Sequence, residues 1–289
     1  MMKQWFEITA KGPAKTAESV AACLIEIGSP GILEEEGDGE NIIKAYIPAD
    51  LSLDKNRILL KQRLKKLAWT YTGSFFENMD WISNWKKHIK PIKISGRILI
   101  KPTWRKIASR AGSIIIEIDP GMAFGTGSHA STMMCLKAAD KLSNVVKGNS
   151  VLDVGTGSGI LAITAAKLGA KKVVGLDTDP EALKVARANV RLNHVGKKVA
   201  ITAKPLEKVK NRFSVIFANI IAEELIKIAG LLKARMMDNG FLILSGILQE
   251  RVKEVEIIYE KLGLKPFKIY AKGEWVCLVL RRQDRKSGN

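Results

Sequence analysis

Residues 151–159 read VLDVGTGSG. A short apolar run carries Asp153, glycines follow at alternate positions (Gly155, Gly157 and Gly159), and a helix-like run opens at Ile160. Such a segment fits the end of a strand, a sharp turn and the start of a helix. Glycine enters left-handed backbone freely and lets a main chain come close to a ligand. The same strand–helix alternation continues on both sides. Strands are expected at 150–154, 172–176, 199–203, 213–218 and 241–245, and helices at 131–146, 160–168, 180–193, 222–236 and 249–262. This order specifies a mainly parallel, doubly wound α/β sheet. The runs 265–271 and 275–281 follow one another without a helix and predict an antiparallel edge pair.

The first 80 residues carry a different pattern. Trp5, Phe6 and Ile8 suit a strand, and Val20, Leu24 and Ile27 recur at helical spacing after Pro13. Two strands, 31–36 and 42–47, flank Gly37-Asp38-Gly39. A helix over 54–69 and a strand over 70–79 complete the order β-α-β-β-α-β, the split unit of a small α+β ferredoxin-like domain. A helix capped by Asp80 would carry Trp81, Trp85 and Ile89 on one face, packing a linker against a domain or holding a cation over its rings. Strand-like runs at 97–101 and 113–118 follow. The expected division is residues 1–79, a connector over 80–112, and a larger domain over 113–289, with a polar tail from Gln283.

Charge separates these segments. The chain has 289 residues with 47 Lys and Arg against 29 Asp and Glu, a formal +18. Residues 1–60 hold 6 basic and 10 acidic residues, whereas 61–112 hold 13 and 2. An acidic start favours a cationic partner, and a basic body favours a polyanion, usually nucleic acid. No apolar run reaches the roughly 20 residues of a membrane span, and the first residues lack the apolar core of a signal peptide. Cys23, Cys135 and Cys277 are sparse and unpatterned. A cytoplasmic protein without a metal centre or membrane contact is expected.

The glycine turn departs from G-x-G-x-x-G, and no G-K-[ST] follows it. Asp153 at the strand end would repel pyrophosphate and suits a ligand with a cationic part, such as the amino and sulfonium groups of S-adenosylmethionine. Thr156 lies within the same turn. Asp177 ends the next strand, 22 residues after Gly155, where an acid can accept two ribose hydroxyls. Asn219 ends the strand over 213–218, on the carboxyl edge where open α/β sheets bind ligands; its carbonyl can accept from an amine. The segment DPGMAFGTGSHAST, 119–132, is a constrained loop ahead of a helix. Phe124, Gly125 and Thr126 suit a lid over a ligand, Thr132 stands at the helix start, and His129 reads as structural.

Together DPGMAFGTGSH, VLDVGTGSGILAI, NIIA (219–222), WISNWKKHIKP (81–91) and GEWVCLVL (273–280) resemble the ribosomal protein L11 methyltransferase family. The resemblance implies a ferredoxin-like domain that holds the substrate protein, a linker, and a class I methyltransferase domain. It implies S-adenosylmethionine as cofactor, and ribosomal protein L11 as a substrate methylated on lysine side chains and its N-terminal amine. The family's cofactor positions resemble Thr132, Gly155, Asp177 and Asn219, with Asn219 also expected to orient the amine. A monomer is expected. Two rival readings stay open at this point: an RNA methyltransferase, although Ile220 and Ile221 stand where N-P-P-Y motifs carry proline, and a non-catalytic nucleic-acid-binding assembly factor on the same fold.

Overall fold

The computed structural model describes residues 5–29, 31–36, 40–49, 53–76, 89–107, 112–119 and 127–282. These fall into two compact units, one drawn from Met1–Pro91 and Asp119–Phe124, the other from Ile92–Ile118 and Gly125–Asn289. The helix expected from Asp80, with Trp81 and Trp85, lies outside the described residues, as do Phe124, Gly125 and Thr126.

In the first unit, β1 (Trp5–Pro13), α1 (Ala17–Glu26), β2 (Ile32–Glu36), β3 (Glu40–Pro48), α2 (Leu53–Lys66) and β4 (Thr70–Phe76) follow in chain order. The strands lie in the order β2-β3-β1-β4, every neighbouring pair antiparallel. Alternation decides which face is inside: Phe6, Ile8 and Ala10 of β1 are buried while the residues between them are not. Val20 and Leu24 of α1 and Leu60 and Leu64 of α2 close over that face. Trp69 joins them, its indole N–H donating to Thr16 Oγ1 at 2.9 Å.

The second unit begins with a small sheet the sequence pattern only half reveals. β6 (Ile98–Lys101) and β7 (Ile114–Glu117) pair in parallel, and β5 (Ile92–Lys93) adds antiparallel to β6. A two-residue strand has no period to read, so it is invisible before folding. The main body runs α3 (Ala130–Lys141), α4 (Ser143–Val146), β8 (Ser150–Val154), α5 (Ile160–Lys167), β9 (Lys172–Leu176), α6 (Pro180–Leu192), β10 (Val199–Thr202) and β11 (Phe213–Asn219). Then follow α7 (Ala222–Lys227), α8 (Ala229–Arg235), β12 (Met236–Leu248), α9 (Val252–Lys261), β13 (Leu264–Lys272) and β14 (Trp275–Arg282).

The sheet order is β10-β9-β8-β11-β12-β14-β13. The pairs from β10 to β12 are parallel, and β14 is antiparallel to both β12 and β13. The expected antiparallel edge pair is therefore present. β11 is buried at every position because helices cover both its faces. Two apolar clusters result, one centred on Leu136, Ile163 and Phe217, the other on Leu225, Ile216 and Tyr259.

Two expected helices are each divided. The 131–146 run breaks at Leu142, and the 222–236 run breaks at Ile228. Met236 is already extended (ψ 142°) and pairs with Phe213, so β12 begins five residues before the expected 241. A bulge follows, with Asp238 and Asn239 outside and Gly240 packed against backbone oxygens of Met237 and Phe213. The Asp-Asn-Gly sequence looks like a turn; pairing with β11 overrides it.

Candidate active site

The carboxyl ends of β8, β9, β11 and β12 converge within the second unit. At the end of β8, Gly155 has φ +70°, and a Cβ there would lie 2.4 Å from Ile220 Cγ2. Gly159 (φ +83°) opens α5, where a Cβ would stand 3.3 Å from Ala186 Cβ on α6. Both positions thus need glycine for backbone and for space. Thr156 N donates to Leu176 O at 2.9 Å, tying the turn to the end of β9.

Asp153 holds this turn from beneath. It is fully buried. Its Oδ2 accepts from Thr156 Oγ1 at 2.6 Å and from Ala162 N at 3.2 Å, while its Oδ1 has no hydrogen-bond partner among the described residues. Burial pushes the carboxyl up to about 7, the nearby Asp177 charge adds to this, and the bonds from Thr156 and Ala162 oppose it. Asp177 is half-buried at the end of β9. It accepts from Gly157 N at 2.8 Å and from Asp179 N at 3.1 Å, so its carboxylate is fixed beside the glycine turn.

Asn219 ends β11 in register with Ser245 of β12 and is 9% exposed. Its Nδ2 donates to Thr132 Oγ1 at 3.2 Å, and its buried Oδ1 has no hydrogen-bond partner among the described residues. Thr132, in the first turn of α3, is fully buried. The sequence singled out Asp153, Gly155, Thr156, Gly157, Gly159, Asp177, Thr132 and Asn219, and all lie on this one edge of the sheet. His129 caps α3: its Nδ1 accepts from Ser131 N, and its ring meets Trp275 edge-on at 4.8 Å. Burial and the Lys272 charge lower its pKa to about 4, so it is neutral at pH 7.

Ser245 and Gly246 were not foreseen. Gly246 has φ +79°, and a Cβ there would sit 2.6 Å from Ile220 O. Ser245 Oγ donates to Ser131 O at 3.2 Å. Ile220 is thus pressed between two glycines, Gly155 and Gly246. The Ser-Gly pair closing the apolar run 241–244 was the available signal.

The chemistry of this edge is that of an acceptor. It sets the Asp177 carboxylate and the Asn219 carbonyl oxygen, the latter without a hydrogen-bond partner among the described residues, on one edge, with the Asp153 carboxyl buried beneath. These suit a ligand bearing positive charge, N–H groups and hydroxyls, and they disfavour phosphate. Replacing Asp153 by Asn tests the buried charge. The folded pKa lies above the unfolded value of 3.8, so this group favours the fold fully below about pH 4, and that contribution is lost as pH rises through about 7. Asp153→Asn should therefore gain about 2 kcal/mol relative to the parent between about pH 5.5 and 8, read from urea unfolding. A pH-independent difference would show the carboxyl titrating normally.

Counting the main-body strands from β8 as the first, the order is 3-2-1-4-5-7-6 with only the seventh reversed. With a glycine turn after the first strand and an acid after the second, this defines a class I methyltransferase. The model of the family "Ribosomal protein L11 methyltransferase (PrmA)" matches residues 4–283, and the chain belongs to that family. A relative of that name from Geobacter sp. (strain M21) is 39% identical over 98% of this chain and 99% of its own. Another, from Geobacter metallireducens, is 38% identical over 96% and 98%. The crystal structure of a ribosomal protein L11 methylase from Lactobacillus delbrueckii subsp. bulgaricus is 32% identical, with TM-score 0.63, covering 68% of this chain and 100% of that one. Among the described residues no helix is long and apolar enough to cross a membrane.

Proposed function

We propose that this protein transfers methyl groups from S-adenosylmethionine to amines of ribosomal protein L11, on lysine side chains and at the N-terminus. The family membership supports the reaction and the substrate. The single observation that carries the site assignment is the unpartnered Oδ1 of Asn219, held in place by Thr132. The residues fit the cofactor: Gly155 and Gly159 turn the main chain sharply beside the Asp177 carboxylate, and Asn219 Oδ1 is an acceptor without a hydrogen-bond partner among the described residues. Bound S-adenosylmethionine would supply an electrophilic methyl group. Asp177 would accept from the ribose hydroxyls, and the Asp153 carboxylate would favour the ligand's positive charge.

The chain's remaining task is to align an amine with that methyl group. A lysine amine has a pKa near 10.4, so about 5 kcal/mol is needed to present it unprotonated at pH 7. Excluding water beside a cation lowers that cost. Asn219 Oδ1 accepts an amine N–H without taking its proton, which orients the lone pair. We read the first unit, with its β-α-β-β-α-β order and antiparallel sheet, as a ferredoxin-like docking domain. Its acidic residues 34–36 suit a basic protein partner.

Thr132→Val tests the positioning. It keeps the volume and removes the hydroxyl that fixes the Asn219 amide. We expect kcat for L11 methylation to fall about 10-fold, the cofactor Kd to move less than about threefold, and Thr132→Ser to restore most of the loss. A Kd that weakens as much as kcat falls would place Thr132 on the cofactor instead. The reaction itself is tested by offering labelled cofactor with L11 or with ribosomal RNA; label in the RNA alone would overturn the substrate assignment.

A further inference from the structure

Strands β8, β9 and β10 are parallel neighbours, so the segments entering them share one edge, opposite the glycine turn. The five residues of β8 separate the two edges by roughly 16 Å. Backbone bonds stitch the entering segments side by side. Gly148 N donates to Gly169 O at 2.9 Å, Lys171 N to Asn149 O at 2.8 Å, and Val173 N to Lys198 O at 2.8 Å.

These segments place Lys147, Lys171, Lys172, Arg191, Lys197 and Lys198 together, all exposed. None of the six has an ion-pair partner among the described residues. The sequence has no Asp or Glu in 141–152, 165–176 or 182–206, so nothing local neutralises them. Adjacent is a cavity of about 500 Å³ whose lining includes Lys101, Lys106, Glu117, Lys167, Asn193 and His194. Glu117 is matched by Lys101 at 2.7 Å. Half-buried Lys167 and exposed Lys106 therefore leave the lining cationic.

We propose that this amino edge is an RNA-docking face, its lysines set against phosphates and its cavity taking one unstacked nucleoside. Repulsion among six unpaired cations destabilises the fold unless an anion relieves it. A membrane surface is the weaker fit: the large apolar residues that are exposed, such as Ile221, Ile257 and Phe267, lie away from these segments, and interfacial binding needs an apolar face. A recess beside a cationic track suits single-stranded nucleic acid. The choice of RNA rests on the proposed ribosomal-protein substrate, which works among RNA; the face itself is read from charge and topology alone.

The experiment uses the full chain, a fluorescent single-stranded RNA 20-mer, and anisotropy over a salt series. The variant Lys171→Gln/Lys172→Gln/Lys197→Gln/Lys198→Gln should weaken binding roughly 30-fold at low salt and flatten the log–log salt slope by about 2 to 3. A matched change of Lys55, Lys61, Lys65 and Lys66 on α2 to Gln should move binding less than about twofold. Methylation of free L11 by the first variant should stay within about twofold of the parent. Equal loss in both variants, no detectable RNA binding by the parent, or tighter binding of phosphatidylserine vesicles or of a DNA 20-mer would overturn the proposal. If the parent fails to bind RNA yet methylates L11, only the docking face falls. If the parent fails to methylate L11, the functional reading falls, whatever the RNA result.

Discussion

Asn219→Ala is expected to lower kcat for methylation of L11 by about 100- to 1,000-fold, while the Kd for S-adenosylmethionine changes less than about fivefold. The asymmetry follows from where the amide sits. Its Nδ2 is already committed to Thr132, so the free function is the buried Oδ1 at the end of β11. An acceptor there is felt when an amine must hold its lone pair toward a methyl group, and much less when cofactor binds alone. Asn219→Asp separates orientation from charge: a carboxylate would also accept the N–H, but it would hold the amine as ammonium and slow transfer. Measuring kcat by stopped assay and Kd by calorimetry distinguishes these roles. Parallel losses of both quantities would make Asn219 a cofactor contact and leave the amine without an identified partner.

Asp177→Ala is expected to weaken S-adenosylmethionine binding by about 100-fold or more. Hydrogen bonds to a charged acceptor contribute about 1.5–3 kcal/mol each, and a carboxylate facing two ribose hydroxyls makes two. Part of the loss is indirect, because the Asp177 carboxylate also accepts from Gly157 N and Asp179 N, and without it the turn loosens. Asp177→Asn keeps an acceptor and isolates the charge; an intermediate loss is expected. Unfolding midpoints measured alongside check that the fold survives. Unchanged affinity in Asp177→Ala would remove the ribose from this position.

Much of this site was legible before folding because its residues sit where strong periods end. The apolar runs of β8 and β9 each stop at an acid or a glycine, and the following runs switch to helical spacing, so Asp153, the glycines and Asp177 announce themselves. Asn219 is legible for the same reason. The direction of the Asp153 side chain was not: nothing in a strand's alternation says that this carboxyl lies beneath the turn, clasped by Thr156 and Ala162. Ser245 and Gly246 escaped notice because β12 continues past them to Leu248, and a strand interior masks a close approach whose partner, Ile220, is 26 residues away. β5 is too short to show a pattern and exists only through its pairing with β6.

Mass spectrometry of purified L11, incubated with this protein and S-adenosylmethionine and then digested, examines the core of this account at one stroke. Additions of whole methyl groups, confined to lysine side chains and the N-terminal amine and absent without the cofactor, are the result expected. Intact L11 that stays unmodified under conditions where the protein binds S-adenosylmethionine, or methyl groups found on residues other than amines, would contradict it.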